Sequence, residues 1–437
     1  MSGKTFRPGQ RAVATPPVGD RLQDIPSVNR RDRVGPRSWT LGLIGICIFT
    51  FATLTERLPV GDLGGAIALV GAFLQRDRMR APAVVWWLLA FVGWASIGLL
   101  TSLFPGDTQL VVIERLKMAV IMLLAVNTIR TDRQMRLFLA FVVAAFVLFP
   151  LRSTLVNYAI GSRLFGRAVG SLMYANPNDL AGVAMLVLAI ALTLATASGV
   201  KKFWRIAAYC STGLLVLVIV LTQSRGALIG VAVGFAPAVA SLVFRRARRM
   251  VYAAIAVAAL VAMTPASVWE RYAGLEKLTS ESTMAQADAE GSAAERIEIQ
   301  KIAWRVAIDH PIFGVGLGTY GRVNAIYSPE LGRKDTHDTY LNLAAETGFP
   351  GVLLWFATVY SVFAKAISRK RLESGETDTL PVAWLRRGLV GFLVAAVFGS
   401  YSGLNIFYLY ISILWVTADL SKQQSNVLPA AKSARAV

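Results

Sequence analysis

Residues Asn178–Gly199 read NDLAGVAMLVLAIALTLATASG, one acidic side chain near the entrance and then an unbroken apolar run. At about 1.5 Å per residue such a run crosses roughly 30 Å of hydrocarbon as a helix. Comparable runs recur along nearly the whole chain, at approximately 40-55, 59-75, 82-104, 110-129, 135-156, 178-199, 204-222, 226-244, 250-267, 350-367, 385-401 and 403-420. The alternating pattern of a membrane barrel is absent, so the runs predict an all-α polytopic membrane protein with about twelve transmembrane helices.

Composition agrees. Of 437 residues, 55% are hydrophobic and 16% charged, with a mean hydropathy of +0.54. A soluble globule carries about 25% charged residues. The formal charge of +19 raises the question of nucleic acid. Its distribution answers it, because the basic residues gather in short clusters between apolar runs, as membrane orientation requires. No nucleic-acid partner is expected.

With the N-terminus in the cytoplasm, the basic clusters fall on the inside. These are Arg76, Arg78 and Arg80; Arg130, Arg133 and Arg136; Lys201, Lys202 and Arg205; Arg245, Arg246, Arg248 and Arg249; and Lys365, Arg369, Lys370, Arg371, Arg386 and Arg387. The alternate short connections, near Pro105 and Ser402, are poor in Lys and Arg. The expected organisation is a disordered basic cytoplasmic tail over 1-38, spans one to nine over 39-266, a hydrophilic outer loop over 267-349, spans ten to twelve over 350-420 and a cytoplasmic tail over 421-437. The first apolar run follows too long and polar a tail for an ordinary signal peptide. Cys47 and Cys210 both lie in apolar runs and give neither a disulfide framework nor a metal spacing.

The outer loop is expected to be helical. Ser292-Ala-Ala-Glu295 has the form of a capping box, and Ile299, Ile302, Ala303 and Val306 follow at helical spacing, with Glu298, Lys301, Arg305 and Asp309 on the other side. His310-Pro311 ends that helix. A second short helix is expected from near Thr336 to Gly348, capped by Asp335 or Thr336, with Asp338 as an acid of the first turn.

Polar residues concentrate on the same outer side. Arg152, Arg163 and Arg167 precede Tyr174-Ala-Asn176-Pro-Asn178-Asp179, which reads as the turn and N-cap of the next span. Thr222-Gln-Ser224-Arg225-Gly226 joins two spans almost without a loop, so Arg225 sits at the membrane surface, where a guanidinium is costly without a partner. It is either a snorkelling anchor or an anion ligand. Gly316-Leu-Gly318-Thr-Tyr-Gly321 matches a dinucleotide fingerprint by spacing, yet no strand precedes it. Asp335-Thr-His337-Asp338 is crowded with metal-ligand types, but helical geometry makes it hard for all three to reach a single ion, and no matching ligands appear nearby. No metal and no cofactor are expected.

The many spans, Arg163 to Ala181 with its Asn-Pro-Asn, and the Ser224-Arg225-Gly226 turn are joined by two further motifs. These are Pro311-Ile-Phe-Gly314-Val-Gly316-Leu-Gly318 and His337 followed by Tyr340-Leu and Glu346-Thr-Gly348. Together, over about residues 40 to 420, they resemble the O-antigen ligase and polymerase superfamily. Asp338 departs from the Asn or Ser often found after that histidine. The resemblance implies a GT-C-like, metal-independent inverting glycosyltransferase of lipopolysaccharide biosynthesis, with its active site facing the periplasm across the bacterial inner membrane. It implies transfer of a glycan from undecaprenyl diphosphate to a sugar hydroxyl of lipid A-core. It also implies His337 as general base, Arg225, Arg163 and Arg167 as diphosphate ligands, and Asp338, Asp335 and Asn178 in support. A polymerase or a protein O-glycosylating ligase shows nearly the same motifs. The reading from another class is a twelve-span secondary transporter; against it, no half-to-half repeat is visible and the polar residues gather at one surface rather than the bilayer midplane.

Overall fold

The computed structural model describes residues 40–56, 58–74, 79–244, scattered positions between 248 and 264, 292–367 and 380–433. The expected basic tail, most of the run 250-267 and the first part of the hydrophilic loop, up to residue 291, lie outside the described residues. Within them the chain is helical, apart from an isolated bridge between Leu164 and Arg167.

Each apolar run that is described becomes a helix. The first six helices are α1 (Leu41–Thr55), α2 (Gly61–Phe73), α3 (Ala83–Ile97), α4 (Pro105–Thr128), α5 (Asp132–Phe146) and α6 (Arg152–Ala159), the last two joined by a π turn containing Pro150. Next come α7 (Pro177–Thr196), α8 (Lys202–Leu221) and α9 (Arg225–Val243). The hydrophilic insertion supplies α10 (Ser292–Asp309) and α11 (Tyr320–Tyr327), and α12 (Thr339–Ala366), α13 (Val382–Ala395) and α14 (Asn405–Ser433) complete the chain. Among the described residues five helices are long and apolar enough to cross a membrane: Ala83–Leu100, Asp132–Ala159, Pro177–Thr196, Lys202–Leu221 and Thr339–Ala366. The protein is a multi-pass helical membrane protein.

Asn178–Gly199 explains its own composition here. From Leu180 to Ala191 every residue of α7 is buried, so a helix apolar on all sides becomes the centre of the bundle. It packs against α5, α8, α9, α13 and α14. Around it helices approach through glycine; a Cβ on Gly230 of α9 would lie 2.3 Å from the Gly391 carbonyl oxygen of α13. Such contact lets van der Waals packing hold helices that lipid does not drive together.

The ends of these helices sort into two sets. At one end Asp419 of α14 accepts from Arg80 at 2.6 Å and from Lys365 at 2.7 Å, and both cations lie over the Trp415 ring. At the other end the starts of α7, α9, α12 and α14 meet the ends of α8 and α13. The insertion folds on that second end around its own small core, Ile299, Ala303, Val306, Val315, Tyr320, Val323 and Ala345. The helical spacing read over residues 299 to 306 is what buries one side of α10, while Lys301 pairs with Glu298 on the solvent side.

Glu295 pairs with Lys334 at 2.8 Å, and the Ser292 side chain of the expected capping box lies outside what is described. One detail differs from expectation: α12 begins with Asp338 as its cap, accepting from the N–H groups of Tyr340 and Leu341 at 2.9 and 3.0 Å, whereas Asp335 accepts only from Thr336 next to it. Asp338 wins because a cap must adopt extended backbone, which it does, while His337 before it is left-handed, with φ 53°. The break expected at Gly348 is present, with φ 68° and ψ 175°, so α12 is a short helix followed by a longer apolar one.

Candidate functional site

The residues flanking His337 are bolted to the end of α13. Thr336 Oγ1 donates to the Asp338 carbonyl at 2.8 Å and lies 3.0 Å from Ser400 Oγ. Thr339 Oγ1 donates to the Gly399 carbonyl and accepts from Tyr401 N–H at 2.7 Å. Tyr340 Oη donates to the Leu393 carbonyl at 2.6 Å. The start of α12 is thereby fixed to the end of α13. The His337 imidazole, half-buried, makes no hydrogen bond to the described residues.

From Tyr401 the network continues. Its hydroxyl donates to the Asn178 carbonyl at 3.0 Å, and the Asn178 side chain accepts from Arg167 at 2.9 Å. Arg167 Nε donates to the Thr222 carbonyl at 2.8 Å, and Ala168 N–H to that of Leu221 at 2.9 Å. These contacts join the loop after α6, the start of α7 and the α8–α9 turn. Asn176 caps α7 by accepting from Asn178 N–H at 2.9 Å, which frees the Asn178 side chain for Arg167.

Arg225 is the first residue of α9, capped by Ser224. It is half-buried, and its guanidinium has no hydrogen bond or ion pair with the described residues. Gly226 does not open the turn to a ligand, because the space a Cβ would need is taken by Phe398, 2.5 Å away. Arg163 stands apart from this network. It is exposed, donates to the Tyr158 carbonyl at 3.0 Å and lies 4.1 Å over the Tyr158 ring, within its own loop.

The insertion adds a residue that sequence reasoning missed. The Lys334–Glu295 pair draws the first turn of α10 to the His337 loop and brings Arg296 within electrostatic reach of both His337 and Tyr401. Burial and the Arg296 charge hold the imidazole below its ordinary range, while Asp335 and Glu295 act in the opposite direction and more weakly. Asp338 is shifted the other way: burial raises its carboxyl above the usual range, against the two backbone N–H groups that favour the anion. Arg296 escaped notice because the charged residues of α10 read as one solvated side, and its neighbour Glu295 as a cap.

Glu346 is also buried and accepts from Tyr320 N–H at 3.1 Å, holding the glycine loop 314–318 against α12. That loop is no nucleotide fingerprint. Gly316, with φ 109°, is pressed against Ser102 and Thr108, where any Cβ would clash at 2.2 Å. Among the described residues no group of three His, Cys, Asp or Glu side chains converges as metal ligands would. A cavity of about 370 Å³ lies between α1, α2, α4 and residues 403–405, lined by Glu56, Asp62, Glu114 and Lys117. Neither His337 nor the arginines above line it.

The fold is that of a polytopic helical membrane protein, with a cationic, histidine-bearing candidate site built from loops and helix starts at one end of the bundle. Residues 210–356 match the family model described as O-antigen ligase, which supports membership of the O-antigen ligase superfamily. The matched stretch contains Arg225, Arg296 and His337, and Arg167 and Asn178 reach it through the hydrogen bonds described above. No curated protein matches the chain.

Proposed function

We propose that the protein is an O-antigen ligase that moves a glycan from undecaprenyl diphosphate to a sugar hydroxyl of lipid A-core, at the periplasmic face of the bacterial inner membrane. The observation that carries the reading is a contrast within one network. The residues around the site are hydrogen-bonded to one another, while the His337 ring and the Arg225 guanidinium make no such bond to the described residues. A half-buried cationic fork with no hydrogen bond or ion pair to the described residues suits a diphosphate.

In this reading the neutral imidazole accepts the proton of the acceptor hydroxyl as its oxygen bonds to the anomeric carbon. The bond from that carbon to the diphosphate oxygen breaks, and the electron pair leaves with undecaprenyl diphosphate. A single displacement of this kind inverts the anomeric centre. Negative charge grows on the leaving group, so Arg225 and Arg167 stabilise the transition state more than the ground state. Arg163, held against Tyr158 in its own loop, stands outside this arrangement. Asp338 fixes the helix start that carries His337, Asn178 orients Arg167, and Asp335 tempers the imidazole. The step needs no divalent ion, and purified protein is expected to stay active in EDTA.

The glycolipid profile of a deletion strain tests the assignment. Core lipid A without polymer, alongside accumulated lipid-linked polymer, is the expected result. Single-repeat glycan on the core would instead assign a polymerase, and an unchanged glycolipid profile would remove the reading.

A further inference from the structure

Helix α10 has three faces, and two are accounted for. Ile299, Ala303, Val306 and Ala307 pack inward, and Glu298, Lys301, Arg305 and Asp309 form a charged edge. At about 100° per residue, Ile297, Trp304 and Ile308 fall together between them. All three are about half exposed, as is Ile312 just past the helix end. A water-facing helix would not keep this stripe.

The surroundings say what covers it. Phe313, next to Ile312, stacks on Trp94 with ring centroids 4.9 Å apart, and Trp94 lies within Ala83–Leu100, an apolar helix long enough to cross a bilayer. Trp94 Nε1 also donates to the Thr347 carbonyl at 3.0 Å, at the break in α12. The C-terminal end of α10 is therefore held beside the last turns of a span. Trp304 meets Phe349 edge-on at 6.5 Å, and from Phe349 the exposed apolar surface runs on through Leu353, Phe356 and Tyr360. On α3 it runs through exposed Ile97 to Leu100. The stripe is thus continuous with the outer surfaces of two candidate membrane spans.

We propose that α10 lies in the membrane interface, with Ile297, Trp304 and Ile308 immersed in lipid and Lys301 and Arg305 at the headgroup level. Apolar residues on one side and basic residues beside them are what a helix lying in that plane requires. Arg296 precedes the first lipid-facing residue, so seating the helix in lipid sets the depth at which that guanidinium stands beside His337. The inference rests on the membrane fold and not on the reaction.

Site-directed spin labelling of the full chain in nanodiscs tests it. Exposed Cys210 is replaced by Ser, buried Cys47 is kept, and single cysteines replace Ile297, Trp304, Ile308, Glu298 and Arg305 in turn. Labels at 297, 304 and 308 are expected to have an oxygen-to-nickel-chelate accessibility ratio severalfold above that of labels at 298 and 305. Equal access of the water-soluble nickel chelate to both sets would overturn the proposal. So would protection from both reagents with spin coupling between chains, which would place a second copy on the stripe. The three lipid-facing positions are read independently, so one misfolded variant leaves the test intact.

Discussion

His337 and Arg225 show how a side chain can be specified by what its neighbours leave undone. Thr336 and Asp338, on either side of the histidine, spend their polar atoms on the start of α12 and the end of α13, and the ring is left over. A general base must be neutral to act. Burial and Arg296 lower the imidazole's affinity for a proton, which favours the neutral form that the proposed role needs. Turnover is expected to hold near pH 7 and fall as pH drops through the lowered value, below the ordinary imidazole range near 6.5. Removing Arg296 weakens that depression, so Arg296→Gln should move the acid limb of the kcat profile to higher pH. A limb that moves down, or stays, would separate Arg296 from the ring. His337→Gln should transfer glycan at least about a hundredfold more slowly while still binding donor, if general-base catalysis has its usual worth. Near-normal transfer would send the search for the base to Asp335 or Asp338.

Arg225→Lys is the sharper test of the anion site. Charge is kept, but an ammonium cannot offer two phosphate oxygens the planar fork of a guanidinium. The expected outcome is a large rise in KM for the lipid-linked donor at equal expression. Wild-type kinetics would make Arg225 a snorkelling anchor after all.

At the scale of elements, the break in α12 is the most exacting feature. Gly348 has φ 68° and ψ 175°, a region open essentially to glycine, and a Cβ there would stand 2.1 Å from the Ile312 carbonyl oxygen. Phe349 N–H donates to the Pro311 carbonyl at 2.9 Å across the same junction. Gly348→Ala is therefore expected to cost at least about 2 kcal/mol, combining backbone strain with displacement of the loop that carries Phe313. A fall of several degrees in the apparent Tm of the detergent-solubilised protein would show it. An unchanged Tm would mean that the junction yields without cost.

This break was legible because Gly-Phe-Pro stops a helical pattern for reasons internal to those residues. The apolar runs were legible for the same kind of reason, since length and hydropathy act locally. The cap of α12 was harder. Asp335, Thr336 and Asp338 are all good capping types, and the choice fell to the left-handed backbone of His337, which sequence does not display. Arg296 and Tyr401 were not legible at all. Arg296 reaches the site only because Lys334 and Glu295 pair across about forty residues of chain, and Tyr401 only because α13 ends beside α7. The reason for Gly226 is likewise tertiary: its small size makes room for Phe398.

At the scale of the molecule, the two ends of the bundle differ in chemistry. One end carries the Arg80–Asp419–Lys365 clasp, with exposed Lys201 and Lys202 near the end of α7 on the same side of the helix alternation. The other carries the insertion and the site. Lys and Arg near span ends favour the cytoplasm, and the clasp end also follows the runs rich in arginine before α3 and α5. The site end is therefore expected to face the periplasm, the side on which the proposed reaction takes place. In a background with exposed Cys210 replaced by Ser, Glu298→Cys on the exposed edge of α10 should react with a membrane-impermeant thiol reagent once the outer membrane alone is permeabilised. Lys201→Cys, between α7 and α8, should react only after the inner membrane is opened. Both sites are exposed, so neither result depends on unfolding. The reverse pattern would invert the protein and place His337 and Arg225 at the cytoplasmic face, beyond reach of both substrates. It would refute the ligase reading while leaving the lipid-seated helix to be judged by its own labels.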